Sequence, residues 1–401
     1  MMTTTVRVFR ESLDNPEDYF VVDYYLESTT TLRDAAWSLA IGQSVGNPNV
    51  RSAWETDELL RDHSCLVLAN ERDLKTVKAG RVKIAFPVKN IDFGTDGISH
   101  FLCMIMGGQL DIDIVSKCQV KEVEFPEDVK QQFLGPKYGI KGIRKFTKVY
   151  DRPLVGGIIK PKTGVSPETI LEMTKQLVDG GANFIKEDEI LSNPLFCPLG
   201  KRVHLIANYL AGKNVVYAFA INADHRFVLD SAQFVADHGG NAVHVNFWAG
   251  LGVYKSIREL NLPLFIHFQK SGDRIFTNPS HDYHIDWKVV CMLASMMGVD
   301  FIHAGMWGGY KNDNEEELMK VLSTLRSGGT MPALSCGLHP GLVDVLTRKF
   351  GVDFLANAGG AIHGHPMGSE AGVKAMVQAT KGQTEALEYK TAINKWGLVH
   401  G

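Results

Sequence analysis

A lysine and three carboxylates stand side by side in the stretch NFIKEDEILSN, where an apolar run ends in Lys186, Glu187, Asp188 and Glu189. Successive side chains of a strand point to opposite faces, so Lys186 and Asp188 share one face and Glu187 takes the other. Glu189, just beyond the strand, can turn back to join the first pair. Two neighbouring carboxylates suit Mg²⁺, which prefers oxygen ligands and keeps several waters. The segment is therefore a candidate magnesium site.

The lysine leaves two interpretations of this segment open. A protonated Lys186 would repel a metal ion held by Asp188 and Glu189. If the amine is neutral enough to add CO₂, the resulting carbamate supplies a third anionic oxygen and the conflict disappears. The alternative is a structural ion pair between the lysine and the carboxylates that closes the end of the strand.

Further polar candidates end or follow other apolar runs. Lys160 and Lys162 flank a proline, and a desolvated lysine near a metal can act as an acid or base, although either one could also cap the rim in solvent. His267 and His303 each end an apolar run. They could shuttle protons or contact phosphate, or they could be hydrogen-bonded histidines of the core.

From Pro153 onward, a regular alternation of apolar and amphipathic segments predicts the strands and helices that position these residues. Short apolar runs alternate eight times with longer amphipathic stretches. Runs that are apolar throughout are typical of parallel strands covered on both faces. We predict an α/β fold with a C-terminal (β/α)₈ TIM barrel over residues 146–401, a doubly wound sheet being the alternative. The irregular mixture of strands and helices over residues 1–145 predicts an N-terminal α+β, ferredoxin-like domain.

Such a barrel carries its active site at the C-terminal ends of its strands, where the polar candidates gather. Loops after the seventh and eighth strands often bind phosphate through backbone N–H groups, and glycine permits the close approach. Ser335 and Gly337 follow the seventh predicted strand, and Gly359 and Gly360 follow the eighth. Tight turns without a ligand are the alternative.

Composition excludes several other classes of protein. A formal net charge of -3 over 401 residues provides no basic surface for nucleic acid or a membrane. No apolar run is long enough to span a bilayer, and the N-terminus lacks the apolar segment of a signal peptide. The six cysteines form no CxxC motif, which argues against disulfides or structural zinc. The scattered cysteines also predict a protein of the reducing cytoplasm.

Several motifs, taken in order, resemble one known family. GGIIKPKTG (156–164) and GGANFIKEDE (180–189) are similar to the paired signature of the large subunit of ribulose-bisphosphate carboxylase/oxygenase (RuBisCO). The motifs IHF, FIHAG, SCG and NAGGAIHGHP follow in matching order. The resemblance implies Mg²⁺ and CO₂, the latter as a lysine carbamate, and a homodimer with active sites at the interface, which could assemble further. The implied metal ligands are carbamylated Lys186, Asp188 and Glu189, the implied catalytic residues are Lys160, Lys162, Lys186, His267 and His303, and the implied phosphate- or substrate-binding residues are Ser335, Gly337, Gly359 and Gly360.

The sequence departs from the carboxylase pattern where that pattern handles the second phosphate and CO₂. Phe268 stands where carboxylases carry an arginine that grips this phosphate. Tyr310 stands where they carry a lysine that stabilises the carboxylated intermediate, and Lys311 comes one position late. The other departures are Gln43 for a glutamate, Gly108 for an asparagine, and the loss of a threonine-tryptophan pair near Asn47–Ala53.

The pattern is that of a RuBisCO-like protein, similar in parts to the diketo-methylthiopentyl-phosphate enolases. We expect a Mg²⁺-dependent enzyme that enolises, and so tautomerises or isomerises, a singly phosphorylated keto-sugar or sugar-derived ketone through a metal-stabilised enediolate. One alternative is a decarboxylase of a 3-oxo sugar-acid phosphate that forms the same enediolate. A second is a non-catalytic regulatory or stress-response scaffold, which would have no reason to keep Lys186, Asp188 and Glu189 together.

Overall fold

The structure, a computed structural model, describes residues 7–400. Its contacts divide the chain into two compact units. The first contains the residues up to Phe133 together with Gly272–Leu293, and the second contains Leu134–Ser271 and the chain from Ala294 onward. The limits drawn from the sequence, 1–145 and 146–401, stay a prediction about folding domains. The sequence did not predict that Gly272–Leu293 belongs to the first unit.

The described chain alternates strands and helices over most of its length. In chain order the strands are β1 (Phe9–Arg10), β2 (Tyr19–Ser28), β3 (Leu66–Leu68), β4 (Ala79–Pro87), β5 (Val115–Glu124), β6 (Leu154–Ile158), β7 (Phe184–Lys186), β8 (Val216–Ala220), β9 (Ala242–Asn246), β10 (Phe265–Gln269), β11 (Tyr283–Ile285), β12 (Phe301–Gly305), β13 (Met331–Leu334) and β14 (Leu355–Ala358).

The helices are mostly short, and within residues 7–400 none is long and apolar enough to cross a membrane. In chain order they are α1 (Leu32–Gly42), α2 (Asp57–His63), α3 (Glu71–Leu74), α4 (Gly97–Ile105), α5 (Glu127–Lys130), α6 (Gly139–Thr147), α7 (Pro167–Asp179), α8 (Leu199–Leu210), α9 (His225–Asp237), α10 (Val253–Glu259), α11 (Arg274–Thr277), α12 (Trp287–Met296), α13 (Glu315–Ser327), α14 (Pro340–Phe350), α15 (Gly360–His363), α16 (Ser369–Thr380) and α17 (Leu387–Trp396).

The first unit is built on a mixed sheet with the strand order β1-β3-β4-β2-β5-β11. The long strand β2 runs antiparallel to both β4 and β5, and β11, from the returning segment, lies parallel to β5. Phe20 of β2 packs against the rings of Phe86, Phe101 and Phe125 with centroid separations of 5.2, 5.3 and 5.9 Å. This aromatic cluster buries one face of the sheet, so the predicted α+β domain is confirmed.

The second unit contains a closed barrel of parallel strands in the order β10-β12-β13-β14-β6-β7-β8-β9. Each of these strands lies in one of the eight apolar runs identified in the sequence, so the predicted TIM barrel is confirmed and the doubly wound sheet is wrong. The interior is filled by apolar side chains at the inward positions. These include Leu154, Phe184, Val216, Phe265, Phe301, Met331 and Leu355.

Capping residues at the start and glycines at the end explain the limits of the helices that connect successive barrel strands. Helix α7 begins after Ser166, whose side chain accepts a hydrogen bond from the backbone N–H of Thr169, and Pro167 occupies the first turn. Helix α13 begins after Asn314, whose side chain caps two backbone N–H groups. Each helix ends at a pair of glycines, so the chain turns back into the next strand.

Candidate active site

A cavity of about 640 Å³ opens at the C-terminal ends of the barrel strands. Every site residue predicted from the sequence lines it, with the exception of His267. The residues come from the ends of β6, β7, β12, β13 and β14 and from the loops that follow them. The barrel therefore brings together side chains that are more than 190 residues apart in the sequence, because parallel strands end at one rim.

Lys186 lies at the floor of this cavity with only 2% of its surface exposed. Its Nζ donates to the backbone oxygen of Glu187 at 3.2 Å and lies 3.4 Å from Oε2 of Glu189. Burial lowers the pKa of Lys186, against the opposing attraction of Glu189 and Asp188. Burial would raise the pKa of Glu189, but the Lys186 ammonium and a backbone hydrogen bond hold that pKa below its ordinary value.

Asp188 shares the inward face with Lys186, as strand alternation predicts. Its Oδ2 accepts a hydrogen bond from Nζ of Lys160 at 2.5 Å, and the carboxylate is buried while the lysine is partly exposed to the cavity. Lys162 lies two residues farther along, on the exposed rim. The site thus contains two lysine–carboxylate pairs side by side.

Glu187 points to the other side of the strand, away from the cavity. Both of its oxygens bind the guanidinium of Arg202 in α8, at 2.8 and 3.1 Å, and both residues are fully buried. The hydroxyl of Tyr217 and the backbone N–H of Ala220 also donate to this carboxylate. Because Glu187 lies between Lys186 and Asp188, this ion pair fixes the end of β7 and the direction of both inward side chains.

The donor set of the cavity fits a divalent cation on one condition. Within residues 7–400 no cluster of three or more His, Cys, Asp and Glu side chains is placed to hold a metal. With both lysines protonated, the charges of Lys160, Lys186, Asp188 and Glu189 sum to zero, and each carboxylate binds an ammonium group. A carbamate on Lys186 would change that sum to −2 and add a third anionic ligand. The residues therefore fit Mg²⁺ if Lys186 is carbamylated, and without that change they form the structural ion pairs of the alternative interpretation.

The histidines occupy two depths of the barrel. His303 lines the cavity, and its Nδ1 and Nε2 lie 3.3 Å from the backbone oxygen of Lys270 and 3.8 Å from Sγ of Cys336. Burial lowers the pKa of His303 to about 3, so the ring is neutral. His267 lies deeper and is fully buried, with Nε2 3.4 Å from Oε1 of Gln269. Gln269 itself lines the cavity. A catalytic role for His267 stays a prediction.

The predicted phosphate-binding loops follow β13 and β14 and line the same cavity. Cys336 and Gly337 both have positive φ, at 84° and 96°. A Cβ on Gly337 would lie 2.5 Å from the backbone nitrogen of Tyr310, so only glycine permits this approach between the loops after β12 and β13. Tyr310 is itself 88% exposed. Gly359 directly precedes the short helix α15, at the end of β14.

Phe268 does not enter the cavity. It is fully buried and its ring stacks on Tyr254 at a centroid separation of 4.6 Å, in the layer between the strands and the helices. In the first unit, the amide of Gln43 donates to the backbone oxygen of Met104 at 2.6 Å, and its Oε1 accepts from the backbone N–H of Gln109. Both residues thus make internal contacts at positions where the carboxylase pattern has a charged side chain.

Several cavity residues were not identified from the sequence. Gln269 and Ser271 follow His267 at strand spacing, so alternation could have placed them on the inward side. Trp396, at the end of α17, also lines the cavity, and no pattern in the sequence links this distant helix to the strand ends.

Comparisons with known proteins agree along most of the chain. The family described as "Ribulose bisphosphate carboxylase large chain, catalytic domain" matches residues 139–327 and 322–396. The ribulose bisphosphate carboxylase of Pyrococcus abyssi is 30% identical, over 95% of this chain and 94% of the relative. The 2,3-diketo-5-methylthiopentyl-1-phosphate enolase of Geobacillus kaustophilus is also 30% identical, over 94% of this chain and 97% of the relative.

A solved structure supports the same assignment. The crystal structure of the octameric ribulose-1,5-bisphosphate carboxylase/oxygenase of Pyrococcus horikoshii, in complex with sulfate, has a TM-score of 0.87 and 27% identity. The likeness covers 98% of this chain and 97% of the other. With a family match over more than half of its residues and relatives similar along nearly its whole length, this chain belongs to the ribulose bisphosphate carboxylase large-chain family.

Proposed function

We propose that this protein is a Mg²⁺-dependent enzyme that enolises a singly phosphorylated keto-sugar or sugar-derived ketone and does not fix CO₂. The observation that carries the proposal is the cavity, where Lys160, Lys186, Asp188 and Glu189 converge while Phe268 is excluded. Carboxylase and enolase relatives are both 30% identical, so overall similarity does not choose between the activities. The site residues favour enolisation, because the groups for a second phosphate and for CO₂ are replaced.

Asp188, Glu189 and carbamylated Lys186 would hold Mg²⁺, which polarises a substrate carbonyl when it is bound. The burial of Lys186 supports this modification, since a lowered pKa leaves more of the neutral amine that adds CO₂. The N–C bond forms as the amine attacks CO₂, and one proton leaves to solvent.

Lys160 would transfer the proton. Its Nζ reaches into the cavity beside Asp188 and is partly exposed, so it can approach the carbon next to a substrate carbonyl. Asp188 fixes the direction of the amine through the 2.5 Å contact. Lys162, on the exposed rim, adds positive charge that attracts an anionic substrate.

A single phosphate would bind at the loops that follow β13 and β14. Backbone N–H groups and small side chains at Ser335, Gly337, Gly359 and Gly360 provide contacts without a charged side chain of their own. His303, neutral and hydrogen bonded to Lys270, would orient a substrate hydroxyl.

We also propose a homodimer with active sites at the interface. In the barrel unit, Leu195 after β7 is 99% exposed and Trp248 after β9 is largely exposed. In the first unit, Trp54 is 88% exposed. Large apolar side chains left in water favour burial against a second chain, and the octameric relative is consistent with assembly. Light scattering of the purified protein tests this, and a monomer at micromolar concentration would contradict it.

The activity is tested by proton exchange in D₂O with Mg²⁺ and bicarbonate. The panel contains singly phosphorylated ketoses, 2,3-diketo-5-methylthiopentyl-1-phosphate, 3-oxo sugar-acid phosphates and ribulose bisphosphate. We expect deuterium to enter the carbon next to the carbonyl of a singly phosphorylated ketone, without CO₂ release. Release of CO₂ from an oxo-acid phosphate would support the decarboxylase instead. Fixation of CO₂ onto ribulose bisphosphate would refute the proposal.

A further inference from the structure

His244 is a buried histidine of β9 to which neither the sequence motifs nor the proposed mechanism gives a role. It has no exposed surface, and neither ring nitrogen has a hydrogen-bond partner. Burial holds the pKa of His244 well below its ordinary value, so the ring is neutral, with one N–H donor and one bare nitrogen. Buried polar groups are nearly always hydrogen bonded, so this donor requires an explanation.

The barrel brings His244 towards Lys186. Strand β8 separates β7 from β9, and in the registers of these strands Lys186 lies opposite Ala218 and His244 lies opposite Ala220. Tyr217 points outward to Glu187, so the alternate residues Ala218 and Ala220 face the interior. Because both are alanines, no large side chain of β8 separates the lysine from the imidazole.

The electrostatics agree with this placement. After burial, the charge of Lys186 is the next largest cause that lowers the pKa of His244. The backbone oxygen of Glu187 accepts from Nζ of Lys186 at 3.2 Å. The same backbone group acts to raise the pKa of His244, although no ring nitrogen reaches it with the geometry of a hydrogen bond.

The chemistry of the lysine decides what the imidazole can bind. An unmodified Lys186 presents only N–H groups when it is protonated, so its tip and the His244 N–H are two donors near one carbonyl. Addition of CO₂ replaces one N–H by an N–C bond, releases a proton to solvent, and turns the tip into a carbamate with two acceptor oxygens. The N–H of His244, which has no partner beside the unmodified lysine, can then donate to a carbamate oxygen of Lys186.

We propose that the N–H of His244 donates to the carbamate of Lys186 and so positions the metal site. This inference rests on the proposed function, which requires the carbamate. The neighbouring His267 cannot take this role, because its ring N–H already has a partner in Gln269. The amide N–H of Gln269 donates to the backbone oxygen of Lys270, so its Oε1 faces Nε2 of His267. This oxygen therefore accepts a hydrogen bond from the N–H of the His267 ring. His267 is left with a bare nitrogen, which cannot donate to a carbamate.

The test is ¹³C NMR of the full chain equilibrated with ¹³C-bicarbonate and MgCl₂, which measures the carbamate directly and needs no substrate. His244→Phe removes the donor and keeps a ring, whereas His244→Gln keeps a side-chain N–H. We expect the Phe variant to need about tenfold more CO₂ for half-maximal carbamylation, the typical effect of one charge-assisted hydrogen bond. The Gln variant should lie closer to the wild type.

Val245→Ala is the matched control, since it perturbs the packing of the same strand on the opposite face. It should leave the carbamate signal unchanged. Wild-type CO₂ dependence in a folded His244→Phe variant would overturn the inference and leave the proposed function standing. If that variant does not fold, His244→Ala and His244→Gln provide the same comparison, and equal carbamylation of the two would overturn it. Absence of a carbamate in the wild type would instead overturn the proposed cofactor and this inference together.

Discussion

Replacing Arg202 by methionine should destabilise the barrel strongly, although this residue never touches the cavity. The guanidinium binds both oxygens of Glu187, and both side chains are fully buried. Methionine has a similar reach and no charge. The variant therefore leaves the Glu187 carboxylate buried with only the Tyr217 hydroxyl and the Ala220 N–H as partners.

The expected loss follows from the contacts that disappear. Two charge-assisted hydrogen bonds to Glu187 are removed, and each contributes about 1.5–3 kcal/mol. The guanidinium's hydrogen bonds to the backbone oxygens of Ser192 and Cys197 are lost as well. Removing one partner of a buried ion pair typically costs about 3–5 kcal/mol, because the other charge remains without compensation. We therefore expect the free energy of unfolding of the barrel to fall by about 4 kcal/mol, a large fraction of the total stability of a typical domain.

Urea unfolding followed by circular dichroism measures this change. Lys201→Met is the matched control, since Lys201 is the neighbouring residue of α8 and its ion pair with Glu168 is exposed. It should leave the unfolding midpoint unchanged. Because Glu187 sets the direction of Lys186 and Asp188, the Arg202→Met variant should also lose Mg²⁺ affinity before it unfolds. A loss of stability below about 1 kcal/mol would refute the view that this pair fixes the end of β7.

Three further substitutions test the cavity itself. Lys186→Ala should abolish turnover and strongly weaken Mg²⁺ binding measured by calorimetry, and retention of both would contradict the carbamate. Lys160→Met should lose exchange of the substrate's α-proton in D₂O while its circular dichroism spectrum stays that of the wild type; continued exchange would assign the base elsewhere. Phe268→Arg should create no bisphosphate affinity. It should also lower the free energy of unfolding by about 3 kcal/mol or more, since the new charge would be buried against Tyr254. Tight bisphosphate binding by this variant would show that an arginine at position 268 can reach the cavity.

The barrel could be predicted from the sequence because its signals are local and repeated. Each strand is an apolar run of a few residues, and helices such as α7 carry a cap at one end and glycines at the other. Parallel strands in a closed barrel all end at one rim, so the positions of Lys160, Lys186 and Ser335 follow from topology alone.

Features that depend on packing between distant segments could not be predicted in this way. The segment Gly272–Leu293 interrupts the barrel sequence, and its strand β11 joins the sheet of the first unit. Trp396 reaches the cavity from the end of the last helix. No periodic or capping signal indicates which surface either segment packs against, because that packing joins positions far apart in the sequence.

Resemblance to a family motif predicts which residue types stand at matching positions. It does not predict how deeply a side chain is buried or which face of the strand it lies on. His267 keeps the type of the family motif and the inward face of β10, yet Gln269 stands between it and the cavity. Phe268 lies on the opposite face of the same strand, where its ring packs on Tyr254. An arginine at position 268 would have to turn around the strand end to reach a phosphate, whereas a phenylalanine is stabilised by staying buried. We therefore expect Phe268 to stay packed on Tyr254 and to provide no phosphate contact, so that substitution by arginine alone does not create bisphosphate binding.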